Sequence, residues 1–303
     1  MNNKFYCPDI ECDSCVKLIK KTLEKNNGIN SIKFNKDSFE VNYNEKTIND
    51  EKIINLIKDK GFRVSLEEFE RKTFKERFRD FRENKNKYEI EYKMLRYSLY
   101  SLLIIIVLEL LFFFFFKNHL KYAWWIFYLD LAIISIGASM WHIKSYQTRI
   151  TSMVGMMIGM TFGMQTGMML GTILSITNGL FLGGLLGMTS AVIVGIYNGR
   201  YSGIMGIMEG MMAGLMGGLM GSMIGTMFRI ENILFFMPFF MIINLFIMWG
   251  LSYMLFEEVI EENPNIKNNK ISFLKFFLYC FIFILLFILI IIYGPKTGLA
   301  GAL

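Results

Sequence analysis

Cys12-Asp13-Ser14-Cys15 sets two thiols three residues apart. At that spacing, opening a helix, both sulfurs point the same way, and the helix N-terminus favours the thiolate. Two soft sulfurs with few other ligands favour linear Cu(I), with Ag(I) as a mimic. Zn(II) wants two more ligands, and no second cysteine pair is present, since the remaining cysteines are Cys7 and Cys280. A thioredoxin-like redox pair is the rival reading. No secretory signal opens the chain, so this segment is expected in the cytosol, where thiols stay reduced and a structural disulfide is disfavoured.

A second set of soft donors lies far along the chain. Residues 153–227 hold 16 of the 23 methionines and 19 of the 26 glycines, which makes the enrichment local rather than a bias of the whole chain. Met156, Met160, Met164 and Met168 each follow a glycine, at four-residue intervals. Met208, Met212, Met216 and Met220 run beside Gly206, Gly210, Gly214 and Gly218. Between them Gly179, Gly183, Gly187, Ala191, Gly195 and Gly199 keep the same step. On a helix of 3.6 residues per turn each line stays on one face. Small residues at that step let helices approach closely in a membrane. Methionine serves as adaptable apolar filler beside such grooves. It is also a neutral, soft ligand for Cu(I), suited to a membrane interior where fixed charge is costly.

Ionisable residues at membrane depth add candidates. Glu209 sits among these methionines and can balance a cation or pair with Arg200 or Asn178. Glu109 and Asp130 are expected to pair with each other in a structural role. His119 and His142 read as ordinary, and Gln165, Asn178 and Asn198 as helix bridges.

The elements that must position these groups follow from composition and periodicity. Hydrophobic residues are 53% of 303 and charged residues 19%, with mean hydropathy +0.39, so the chain is expected to be an integral membrane protein. The net charge is +6, but residues 150–233 contain only Arg200, Glu209, Arg229 and Glu231 as charges. The basic excess therefore flanks the apolar part, where it touches anionic membrane lipid and sets topology; no nucleic-acid surface is implied. Residues 1–66 alternate and repeat as β-α-β-β-α-β, an α+β, ferredoxin-like order, which argues against thioredoxin. The apolar positions that mark these elements are Phe5 and Cys7, then Val16, Ile19 and Leu23, Ile32 and Phe34, Phe39, Val41 and Tyr43, Ile53, Leu56 and Ile57, and Phe62, Val64 and Leu66, with Asn49 or Asp50 capping the second helix. Residues 67–93 form a basic linker helix with an aromatic stripe of Phe74, Phe78, Phe81, Tyr88 and Tyr92. Residues 94–303 form an all-α polytopic membrane domain, with seven spans at about 94–116, 121–143, 152–175, 178–198, 203–228, 232–256 and 271–293.

Residues 4–66 resemble the heavy-metal-associated domain family of copper chaperones and copper-ATPase N-terminal modules. The resemblance rests on Cys12-x-x-Cys15, Asn27-Gly28-Ile29, the Ile32/Phe34 and Phe39-Glu40-Val41-Asn42-Tyr43 strands, the Ile53-Ile54 helix and Gly61-Phe62. It implies a ferredoxin-like fold with Cys12 and Cys15 as metal ligands. Asp9-Ile10 replaces the family's usual Gly-Met, and the additional Cys7 is a candidate third ligand. The membrane part is similar to Met/Gly-rich regions of bacterial copper-handling proteins. The phosphorylation, Cys-Pro-Cys and phosphate-loop motifs of a copper ATPase are missing.

The expectation is a passive Cu(I) permease or channel in the cell membrane, with its N-terminal domain cytoplasmic. The methionines of spans three and five line the path, and Cys12 and Cys15 receive or donate the ion at the cytosolic mouth, with a cytosolic copper chaperone as a partner that can load the domain. Tight glycine packing suggests a homo-oligomer. The alternatives are a copper store, sensor or metallochaperone without transport, and a glycine-packed scaffold with a regulatory domain. An enzyme is not expected, since no nucleophile–base arrangement or cofactor loop is present.

Overall fold

Alternating apolar residues near the N-terminus build a small antiparallel sheet. In the computed structural model β1 is Asn2–Tyr6, β2 Ile29–Phe34 and β3 Ser38–Tyr43, in the order β1-β3-β2. The structure describes residues 2–8, 10, 13–26, 28–35, 37–44, 47–60, 62–68, 74–83, 88–115, 121–146, 150, 152–229, 232–260 and 272–296. Register places Phe39 opposite both Phe5 and Phe34. The Phe5 and Phe39 rings stack at 5.4 Å, so cross-strand aromatic contact holds the centre of the sheet. Helices α1 (Asp13–Glu24) and α2 (Asp50–Lys58) complete the core with Ile19, Leu23, Ile53 and Ile57. Asn49 is the N-cap residue of α2, yet its side chain makes no capping bond. The expected last strand is reduced to one bridge, Ser65 against Tyr6, on the free edge of β1. Phe62 and Val64 still enter the core, while Leu66 is exposed. The result is a small antiparallel sheet with helices, as the alternation predicts.

The linker stripe is divided by the structure. Phe74, Phe78 and Phe81 fall in α3 (Phe74–Glu83), whereas Tyr92 belongs to α4 (Glu89–Phe115), the first membrane helix. Apolar residues continue the helical pattern back from residue 94 through Met94 and Tyr92, so this helix starts five residues before the predicted span.

The remaining helices are α5 (Ala123–Ser145), α6 (Ser152–Asn178), α7 (Leu180–Gly199), α8 (Ile204–Phe228), α9 (Ile233–Leu255) and α10 (Phe273–Tyr293). With α4 they make seven helices long and apolar enough to cross a membrane. Two glycines close the sharpest turns. Gly179 (φ +107) alone joins α6 to α7, and Gly203 (φ +85) precedes α8; side chains with a Cβ disfavour both conformations.

Helices α6, α7 and α8 form the tightest group in the chain, and glycine is the reason. A Cβ on Gly163 would lie 2.5 Å from the Gly210 carbonyl oxygen, and one on Gly195 would lie 2.3 Å from the same atom. A Cβ on Gly218 would lie 2.3 Å from the Met188 amide nitrogen, and one on Gly187 2.7 Å from Gly171 Cα. The three backbones therefore touch one another directly, which only glycine permits. Thr172 adds a bridge: its Oγ1 donates to the Gly221 carbonyl at 2.9 Å.

Candidate metal centre

The described part of the cysteine pair is Cys15, since Cys12 lies outside the described residues. Cys15 stands in the first turn of α1, half-buried, and packs against the domain core. The opposite face of α1 turns Lys17, Lys20 and Lys21 to solvent. The amphipathic helix thus fixes which way its first turn points. Cys7 is fully buried within the core, and its backbone N–H donates to the Asp37 carbonyl at 2.9 Å. A fully buried sulfur in an apolar cluster acts as a packing residue rather than as a ready third ligand.

The methionine row of α8 lies outside the glycine contacts, whereas that of α6 lies partly at their edge. Met208, Met212, Met216 and Met220 are exposed by 42–59% of their surface, and Met160 by 48%. Met156, Met164 and Met168 are half-buried. The backbones of Met164 and Met168 lie against Gly217 and Gly221, which puts these two at the α6–α8 seam. Backbone-to-backbone contact leaves no bore among the three helices of one chain. A row of thioethers facing a path must therefore face outward, toward lipid or another copy.

Glu209 is half-buried on α8. Neither partner foreseen for it holds: Arg200 stacks over the Tyr197 ring at 4.1 Å, and Asn178 Nδ2 donates to the Ile290 carbonyl at 3.0 Å, tying α6 to α10. Asn198 donates within its own helix, to the Val194 carbonyl, and so does not bridge. His119 lies outside the described residues.

His142 is not an isolated residue. Its Nε2 is 3.1 Å from Glu91 Oε1, and the Tyr146 hydroxyl donates to the same oxygen at 2.6 Å. Burial, followed by the Glu91 carboxylate, pushes the Tyr146 phenol up, so it stays a donor. This cluster was missed because Glu91 falls in the segment read as a linker. The signal was available: consecutive antiparallel spans bring the start of one to the level of the end of the next. Glu109 and Asp130 do meet, as the sequence suggests. Among the described residues no three His, Cys, Asp or Glu side chains converge as metal ligands.

Residues 4–63 match the family model of the heavy-metal-associated domain, which marks this segment as metal-binding. Nothing matches the chain among curated proteins or among solved structures.

Proposed function

We propose that this chain carries Cu(I) across a membrane by a passive route lined by methionine thioethers, with Cys12 and Cys15 of a cytoplasmic domain taking up or delivering the ion. The observation that carries the reading is the outward placement of Met208, Met212, Met216 and Met220 around a closed glycine-packed core. Leucine would satisfy lipid equally well, and the chain uses leucine and isoleucine freely in α4 and α10. A row of soft, uncharged sulfurs instead lets a monovalent soft ion step along without a buried carboxylate. Because backbone contact closes the space between α6, α7 and α8 of one chain, the route runs between copies, and a homo-oligomer is part of the mechanism. Met156, Met160, Met164 and Met168 line the same route from α6. The chain acts as a carrier with no catalytic step.

Binding without transport is the second reading, that of a copper store, sensor or metallochaperone. It is favoured by the open methionine face that a single chain presents. Anaerobic Cu(I) flux into proteoliposomes separates the two. The expected result is flux that falls at least tenfold when Met156, Met160, Met164, Met208, Met212 and Met216 become leucine. Absence of flux from the intact, folded chain would favour the second reading.

A further inference from the structure

We propose that Glu109 of α4 and Asp130 of α5 form a proton-binding site inside the membrane, the two carboxyl groups sharing one proton. The site is independent of the methionine rows and of the Cu(I) reading.

Asp130 is fully buried, at 0% exposure. Among the described residues neither of its carboxyl oxygens accepts a hydrogen bond from an N–H or O–H donor, and Glu109 Oε1 is equally without one. The polar group that Asp130 does meet is the Glu109 carboxyl. Two carboxylate groups facing each other offer only acceptors, so the contact needs something positive between them.

Among the described residues the surrounding helices bring no basic side chain to the level of the pair, and Lys121 and Lys296, just beyond the near ends of α5 and α10, are held on Tyr122. Helices α5, α10 and α4 pack together, and α6 and α9 cover the other sides of α5. Helix α6 carries no titratable residue and α9 only Tyr253. Helix α5 adds Tyr128, with His142 and Lys144 three turns away at its other end. On α4, Lys93 and Arg96 lie about 20 Å below Glu109 at 1.5 Å per residue. On α10, Lys275 belongs to the same distant level, since neighbouring Phe273 meets Tyr97 and Phe276 meets Trp141. Cys280 lies against Gly137, two turns from Asp130, and Tyr293 is exposed at the end of α10.

A proton fits this enclosure where a metal ion does not. A hard cation wants six or more oxygen ligands. The α4–α5 seam offers these carboxyl oxygens and the buried hydroxyl of Ser101, two turns along α4. One proton between two carboxyl oxygens gives a charge-assisted O–H···O⁻ bond and removes one of two like charges from a low-dielectric site. Glu109 is half-buried whereas Asp130 is enclosed, so Glu109 is the member through which the proton exchanges. About six residues separate each carboxyl from the near end of its helix, which puts the pair roughly 10 Å inside the span.

Infrared difference spectroscopy of the full chain in lipid nanodiscs tests this. The expected spectrum at neutral pH contains the carbonyl stretch of a protonated carboxylic acid that shifts on exchange into deuterium oxide. That band is lost in the double variant Glu109→Gln/Asp130→Asn and is unchanged by sodium or potassium. Each single variant shifts its frequency, because the carbonyl then faces an amide, so the test survives a double variant that does not fold. A spectrum without the band, a band that keeps its frequency in both single variants or persists in the folded double variant, or a band that sodium abolishes would overturn the proposal. The last outcome would make the pair a cation site.

Discussion

The membrane unit contains two kinds of helix contact. In α6–α8 the contact surface is mostly glycine backbone, and the methionine side chains of α8 are turned outward. In α4, α5 and α10 it is made by large side chains, with Ile105, Ile126, Leu129, Phe276 and Ile284 buried. The first contact admits only small hydroxyls such as those of Thr172 and Ser175, and the thioethers of α8 stand outside it. The second is made of bulky side chains, and among them the chain encloses carboxyl groups, a histidine and a cysteine. Soft neutral donors thus occupy the outer face of one region, and titratable donors the inner face of the other.

The comparison breaks first, and hardest, at glycine. Gly218→Leu is expected to abolish the α6–α8 unit, because even the first carbon would lie 2.3 Å from the Met188 nitrogen. Gly218→Ala is expected to cost ~1–3 kcal/mol by overpacking. Gly250 on α9 has nothing within 4 Å of an added Cβ, so Gly250→Ala is expected to gain roughly 0.5–1 kcal/mol from helix propensity. Thermal unfolding in detergent, followed by circular dichroism, reads all three. Equal effects at Gly218 and Gly250 would remove the distinction between the two contact types.

The second region breaks through its polar groups. Tyr146→Phe removes the hydroxyl that donates to Glu91 Oε1, and among the described side chains His142 is then left on that oxygen. The expected loss is ~1.5–3 kcal/mol, the range for a hydrogen bond to a charged group. His142→Ala should cost a similar amount. A double-mutant cycle is expected to give a coupling of ~0.5–3 kcal/mol, since the two share one acceptor. Additivity would mean that the cluster is three separate side chains.

These two regions were not equally legible in the sequence. A glycine every fourth residue is a periodic signal, and it foretold close packing of α6, α7 and α8 because periodicity alone determines which face meets a neighbour. The orientation of the methionines was not legible in the same way. On α8 Met208 is two residues after Gly206 and two before Gly210, about 200° around the helix from each, so the two faces are nearly opposite; on α6 each methionine follows its glycine by one residue, about 100°, and stays nearer the seam. That geometry was present in the spacing, but which face meets lipid depends on the neighbouring helices. The Glu109–Asp130 pair was foreseen from two isolated acids on neighbouring spans. The Glu91 cluster was not, because helix ends are set by tertiary contact as much as by hydropathy, and α4 begins before the apolar run does. In the N-terminal domain, alternation marked Phe5, Phe39 and Val41 as strand positions, and all three are buried in the sheet. It also extended a last strand to Leu66, where the chain makes a single bridge with too little pairing to hold that side chain in.

The cysteines offer a smaller contrast within one domain. Cys7→Ser puts a hydroxyl into a fully buried apolar cluster and is expected to cost ~1–3 kcal/mol while leaving Cu(I) bound at residues 12 and 15. Cys15→Ser, at a half-buried position, is expected to cost less stability and to lose that site's Cu(I) affinity by at least tenfold. Competition with a chromogenic Cu(I) chelator on the full chain, with the six methionines replaced by leucine, isolates the N-terminal site. Equal loss of affinity from both variants would make Cys7 a ligand in spite of its burial.

The smallest expected effect sharpens the comparison most. Replacing Met208, Met212, Met216 and Met220 with leucine changes shape by little. Their side chains are largely exposed, so no core must be repacked around a branched carbon. Leucine is also a good helix former. The unfolding temperature in detergent should therefore stay within what ~1 kcal/mol would move, the scale of a tolerated hydrophobic exchange. A large drop would mean that these sulfurs fill gaps against the glycine helices, as adaptable filler does, and would assign the rows to packing. A flat result leaves the glycines as the whole of the packing, and then any fall in Cu(I) flux in the same variant belongs to the thioethers themselves.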